Sequence, residues 1–241
     1  MSGHSKWATT HRQKAIVDAK RGAIFTKIGN QIAIAARGGT DPTTNSALAM
    51  AIEKAKAANM PNANIQRAID RVNDKNAAAL EEVTYEAYGP GGVGIIVEAA
   101  TDNKNRTYPE IRTALTKNGG TMADAGSVMF QFTRKGVIRV AATGEDALLQ
   151  VLDAGAEDAV EESGGLTVYT DMKDLAKVRA ALVQAGLNVE DAELQYVANN
   201  DVPVGDIETA RKLMKVLDAV EELDDVTNVH TNADITVDID E

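Results

Sequence analysis

The chain has no cysteine and only three histidines among its 241 residues. That excludes disulfides, thiolate zinc sites and cysteine nucleophiles, and it leaves little with which to hold a transition metal. Aromatic residues are scarce at 4%, with a single tryptophan, so the interior must be built from Ala, Val, Ile and Leu. Such a composition favours several small cores over one thick one. No stretch approaches the roughly 20 apolar residues that span a bilayer. The first 14 residues are polar and basic, unlike the apolar run of a signal peptide. A basic amphipathic start also suits a mitochondrial transit peptide, but here it runs directly into helical periodicity without a cleavage-like break. A soluble, cytoplasmic protein is therefore expected.

What the chain does have is separated charge. The net charge is −11, yet the first 37 residues carry seven cations (Lys6, Arg12, Lys14, Lys20, Arg21, Lys27, Arg37) against one acid, Asp18. Residues 1–75 hold 12 basic and 5 acidic side chains; the remainder holds 13 basic and 31 acidic. Polarity of this kind points to a partner with phosphates, whose condensed counterions Lys and Arg displace. Lys14 and Arg21 are seven apart, opposite Ile16 and Ala23 on a helix, so they face outward while the apolar side packs. Lys6-Trp7 sets the only tryptophan beside a cation, where it can stack on an unpaired base. The candidate nucleic-acid contacts are thus Lys6, Trp7, Arg12, Lys14, Lys20, Arg21 and Lys27. The alternative is a solvated helix face with Trp7 as a packing anchor. Thr101–Thr107 supplies a second candidate, since Lys104 and Arg106 precede a helix N-terminus, where unpaired N–H groups favour an anion. An ordinary capped turn is the competing reading.

Helical periodicity runs through residues 11–73. Ile16, Ala19 and Ala23 lie on one face, and Phe25, Ile28, Ile32 and Ala36 on a nearly opposite one, which predicts a break near Gly22. Asn45 reads as an N-cap for a helix through Leu48, Ile52 and Ala55 that ends at Met60-Pro61; Ile65, Ile69 and Val72 mark another. Beyond residue 79 the texture changes. Val83–Tyr88 and Gly92–Ala100 read as strands joined by a Gly-Pro-Gly-Gly turn. A helix over 107–118 is expected to open with a Thr107/Glu110 capping box, and Ser127–Thr133 reads as a third strand. From Gly136 the order is strand 137–142, helix 145–153, strands 157–162 and 166–170, helix 171–185 and strand 188–198, the ferredoxin-like pattern. A helix at 206–223 and a strand at Val226–Thr231 follow. The expected fold is α+β: a helical basic domain (1–79), a middle α+β domain (80–133 plus 203–241), and a ferredoxin-like domain (134–202) inserted into the middle one. The last two read as small α/β sandwiches.

Catalytic chemistry finds no support. Gly89–Gly94 has neither the Lys-Ser/Thr nor the following helix of a phosphate loop. No serine shows a nucleophile elbow. His4 and His11 have no acidic neighbour to complete a ligand set, and the terminal acids Asp234, Asp238, Asp240 and Glu241 lack calcium-loop spacing. No cofactor, metal or small-molecule substrate is expected, and the chain reads as a non-enzymatic protein. A protein-interaction module using the acidic surface is the reading from another class.

Several segments together resemble the YebC/PmpR family. They are Ser2–Trp7, Asp18–Gly22, Phe25–Lys27, Ala51–Pro61 (AIEKAKAANMP), Tyr88–Val93 (YGPGGV), Thr101–Thr107, Gly126–Val128, and Leu223–Val226 continuing through Asn232. The resemblance covers nearly the whole chain in order, while 134–202 matches in pattern more than in motif. It implies a three-domain α+β protein of the bacterial cytoplasm that acts in gene expression. Members are labelled DNA-binding transcriptional regulators. Mitochondrial relatives are translational activators of cytochrome c oxidase, and bacterial members have been linked to ribosomes stalled on proline-rich sequences. DNA, or ribosomal and transfer RNA on the ribosome, is therefore the implied partner, with no membrane. The family's basic positions map onto Lys6, Arg12, Lys14, Lys20, Arg21 and Lys27. Ala49, Asn62 and Asp70 stand where the family often has Lys or Arg, and Thr9-Thr10 replaces a more apolar-basic stretch. Fewer phosphate contacts would make the salt dependence shallower.

Overall fold

The computed structural model describes residues 21–74, 78–162 and 164–238. The chain divides into two compact units, one formed by Met1–Thr133 with Ala198–Glu241, the other by Arg134–Val197.

Among its described residues the first unit begins with the helices α1 (Arg21–Ala36), α2 (Ser46–Ala57) and α3 (Asn62–Asp70), the last running into a single tight turn at Arg71–Asn73. Ile28, Ile32, Ala36, Leu48, Ala55, Met60, Ile65 and Ile69 meet in one core, the residues that the 3.6-residue period selects. Gly22 is the second residue of α1 as described, and the helix continues through Phe25 and Ile28; the expected break near Gly22 falls where the described residues begin. A helical glycine costs about 1 kcal/mol relative to alanine, a penalty that burial of Ile28 and Ile32 outweighs. The shorter helix expected before Gly22 falls outside the described residues. Asn45 caps α2 through the Leu48 N–H at 3.1 Å, and its amide also donates to the carbonyls of Ala35 (2.7 Å) and Gly39 (2.8 Å). One side chain thus starts α2 and closes the loop after α1. Asn59, at φ +60°, reverses the chain after α2, a left-handed conformation that asparagine tolerates.

The same unit contains β1 (Glu81–Tyr88), β2 (Gly94–Thr101), α4 (Lys104–Asn118) and β3 (Thr121–Met122). It regains the chain for β8 (Val202–Val204), α7 (Ile207–Glu221), β9 (Val226–Thr231) and β10 (Ala233–Ile235). The main sheet has order β3-β1-β2-β9, all antiparallel, so the C-terminal strand is hydrogen-bonded to β2. Ala87, Ile95, Val97, Ile111, Leu115, Leu213, Leu217 and Val220 form the core between this sheet and the helices α4 and α7, and α1 packs against β2 and β9. The β1–β2 connection is a tight interstrand turn with Gly91 and Gly92 at φ +80° and +76°. A Cβ on Gly89 would stand 2.8 Å from Leu213 Cδ1, so glycine lets the turn lie against α7.

Two expectations fail here. Ser127–Thr133 is not a strand: Met129–Gln131 is a single tight helical turn, and strand β4 starts only at Phe132. Helix α4 begins at Lys104 with Asn103 as N-cap, its side chain accepting the Arg106 N–H at 3.2 Å. Thr107 is therefore not a cap. Asparagine caps better than threonine, and the Thr107 hydroxyl is bound elsewhere.

The second unit contains most of β4 (Phe132–Val140), then α5 (Glu145–Asp153), β5 (Asp158–Glu162), β6 (Gly165–Thr170), α6 (Leu175–Gln184) and most of β7 (Val189–Ala198). Its sheet order is β5-β6-β4-β7. Ile138, Val140, Val151, Leu166, Val168, Val178 and Leu182 are buried. Helix α6 starts four residues later than expected because Asp171 folds its own turn, accepting the Lys173 and Asp174 N–H groups.

Candidate nucleic-acid interface

Of the cations that the sequence singles out, Lys6, Arg12, Lys14 and Lys20, with Trp7, lie outside the described residues. Arg21 opens α1. Lys27, half-buried, donates from Nζ to the Glu221 carbonyl at the end of α7, where unpaired carbonyls and the helix dipole attract a cation. Arg37 donates to the Leu80 carbonyl at 2.9 Å. Arg71 reaches Asn30 Oδ1 at 3.5 Å and Asp102 at 3.9 Å. Lys27, Arg37 and Arg71 thus fasten the helices to the sheet half of the unit. Lys56 and Arg67 are exposed, on the last turns of α2 and α3.

Lys104 and Arg106 are both engaged by acids. Lys104 Nζ lies 2.6 Å from Glu81 Oε2; the pair pulls the Glu81 carboxyl below its ordinary range and raises the lysine. Arg106 Nη2 meets both Asp225 oxygens, at 2.8 and 3.1 Å, and Asp102 at 3.2 Å. Asp225 also accepts the hydroxyls of Thr107 (2.6 Å) and Thr101 (3.0 Å), and Thr101 Oγ1 accepts the Asn103 N–H at 2.9 Å. Burial pushes the Asp225 carboxyl up, but the hydrogen bonds from Thr107, Arg106 and Thr101 prevail and hold it below the ordinary range. The motif Thr101–Thr107 is thus a joint between the end of β2, the start of α4 and the turn before β9. Its positive charge is largely neutralised in place.

A second carboxylate organises the turn before β4. Glu86, buried in β1, accepts three backbone N–H groups, from Gly126 (2.5 Å), Val128 (2.6 Å) and Met129 (2.8 Å). Burial opposes its ionisation, yet these three donors keep it below the ordinary carboxylate range. The Tyr88 hydroxyl adds a hydrogen bond to the Ser127 carbonyl at 2.9 Å. Sequence reasoning missed both Glu86 and Asp225, whose donors lie about 40 and 120 residues away along the chain. The only signal was that Gly126–Val128, Thr101–Thr107 and Leu223–Val226 each carry the family resemblance.

His230, which sequence reasoning left without a role, is buried with Nε2 2.9 Å from Glu98 Oε2. Among the described residues no group of three or more His, Asp or Glu is placed to hold a metal ion. Among them also, no helix is long and apolar enough to cross a membrane.

These features define a class: a mixed α/β protein with helices, several antiparallel sheets and a positively charged N-terminal part. Residues 5–75 match the family described as the TACO1/YebC protein N-terminal domain, and residues 80–233 match the TACO1/YebC second and third domain. The chain belongs to the TACO1/YebC family. It is 48% identical to the "Probable transcriptional regulatory protein" of Parafrankia sp. over 99% of this chain and 98% of the relative. It is 49% identical to the protein of that name from Thermobifida fusca, over 98% of this chain and 96% of that one. A crystal structure of a conserved hypothetical protein from Aquifex aeolicus superimposes with a TM-score of 0.88 at 41% identity, covering 94% of this chain and 95% of the other.

Proposed function

We propose that the chain is a non-enzymatic nucleic-acid-binding factor in gene expression, a DNA-binding transcriptional regulator, that grips phosphate with its basic N-terminal part. The observation that carries this reading is the charge separation: 12 basic against 5 acidic residues over 1–75, and 13 against 31 beyond. The acidic remainder repels a long duplex, so duplex binding is confined to one end. The relatives' name, transcriptional regulatory protein, supports a nucleic-acid partner.

The contacts are assigned to Lys6, Trp7, Arg12, Lys14, Lys20 and Arg21. Lys27, Lys104 and Arg106 hold internal partners and serve mainly to fix the fold on which the basic end is mounted. The proposed working division is into a helical part (1–79), a middle part (80–133 with 203–241) and a ferredoxin-like insert (134–202). The sequence marks no helix as a base-reading recognition helix for the major groove. Specificity then comes from the shape of the nucleic acid more than from base edges.

Equilibrium binding of the full chain to duplex DNA, single-stranded RNA and purified ribosomes, each over a range of salt, tests the reading. It predicts affinity for nucleic acid that falls steeply with salt and strongest binding to DNA. Salt-independent binding would contradict it, and a clear preference for ribosomes would move the target to RNA.

A further inference from the structure

We propose that Phe130 is a stacking platform for a single unpaired nucleobase. The inference rests on the nucleic-acid reading above and adds a second contact point, remote in sequence from the basic end. The chain has three phenylalanines. Phe25 packs against the helical core and Phe132 is buried, whereas Phe130 is 72% exposed, the most exposed large apolar side chain among the described residues. Single exposed apolar residues are ordinary on protein surfaces. The backbone built beneath this one is not.

Val128 is fully buried and Phe132 nearly so, so the turn between them drives position 130 outward. That turn is fixed by three outside side chains and by one bond of its own. Glu86 holds the Gly126, Val128 and Met129 N–H groups, and the Gln131 N–H donates to the Val128 carbonyl at 2.9 Å. The Asn199 side chain donates to the Phe130 carbonyl at 3.3 Å, and its backbone N–H to the Gln131 carbonyl at 2.8 Å. Asn232 donates to the Gln131 side chain at 2.8 Å and accepts the Gly94 N–H at 2.8 Å. A rigid backbone under an exposed ring lowers the entropy lost when a flat ligand stacks on it.

The surroundings decide the kind of ligand. Asp124, Ala125, Gly126 and Thr133 in the same stretch of chain, and Asn199 bonded to it, are exposed, a mostly polar setting. A protein hot spot needs an apolar rim to exclude water. A nucleobase needs one π-face, and stacking of this kind tolerates any base. No cation lies in the segment 124–133, and the next one, Arg134, stands over the Tyr196 ring at 5.4 Å, so the platform takes the base while phosphate is held elsewhere. The base must be unpaired to expose its face.

The test uses the full chain with Phe130→Ala and Phe130→Trp, and a single-stranded oligonucleotide carrying 2-aminopurine. Wild type and Phe130→Trp should quench the fluorophore. Phe130→Ala should lose the quenching and about 5-fold or more of single-strand affinity, with duplex affinity and thermal midpoint unchanged. Unchanged single-strand affinity and quenching in Phe130→Ala would overturn the proposal, as would an equal loss on duplex. If Lys14→Glu/Lys20→Glu/Arg21→Glu abolishes binding while Phe130→Ala does nothing, the platform fails and the function stands. If neither variant changes binding, the functional reading itself fails.

Discussion

The Asp225 carboxylate accepts the Thr107 hydroxyl at 2.6 Å across 118 residues of chain. This contact, with Arg106 and Thr101 on the same carboxylate, locks the first turn of α4 to the turn that launches β9. It explains why a threonine placed like a helix cap is buried inside the helix.

Asp225→Ala should therefore destabilise the protein by about 2–3 kcal/mol, the range for losing a hydrogen-bonded, partly buried charge. Thr107→Val, which keeps the shape and removes the hydroxyl, should cost about 1 kcal/mol. Chemical denaturation of the full chain measures both. Equal stability of Asp225→Ala and wild type would show that the joint does not hold the fold.

Glu86 gives the acid side of the stability profile. Its folded-state carboxyl titrates below the ordinary value of 4.5, so the unfolded chain takes up its proton first as pH falls. Its contribution is complete above that value and is lost as pH drops toward the lowered one. Glu86→Gln should be less stable at neutral pH and show a flatter decline below about pH 4.5. Parallel acid limbs in the two proteins would contradict the assignment.

Asn45 does two jobs at once, capping α2 and closing the α1–α2 loop. Asn45→Ala should cost about 1–2 kcal/mol, and Asn45→Asp should cost less only at the cap, since it cannot donate to Ala35 and Gly39. Thermal unfolding of the two variants separates the roles.

In the second unit, a Cβ on Gly165 would press on the Val140 carbonyl oxygen. That atom is backbone and cannot swing away. Gly165→Ala should destabilise this unit by about 1–3 kcal/mol, with hydrogen exchange rising in β4 and β6. No such change would mean that the β4–β6 ladder yields more than its register implies.

Local rules read much of the secondary structure. The expected helix at 145–153 and strand at 226–231 coincide with α5 and β9, because apolar spacing and flanking breakers agree there. The rules failed where a distant group decides. Residues 127–133 have strand-like composition, but Glu86 captures three of the nearby N–H groups and bends them into a turn. Thr107 and Glu110 have capping-box spacing, but Asn103 takes the cap and Asp225 takes the threonine. For the candidate site, the count of charges was legible and their pairing was not. Lys104 and Arg106 look available in sequence because Glu81 and Asp225, their partners, lie elsewhere along it.

The slope of log affinity against log salt for duplex DNA, measured on wild type and on Lys14→Glu/Lys20→Glu/Arg21→Glu, tests the central claim most directly. Each phosphate contact contributes about −0.9 to that slope. The account predicts that the variant keeps the wild-type thermal midpoint, loses most of its affinity, and has a slope shallower by about 2–3. Wild-type affinity and slope in a folded variant would contradict it.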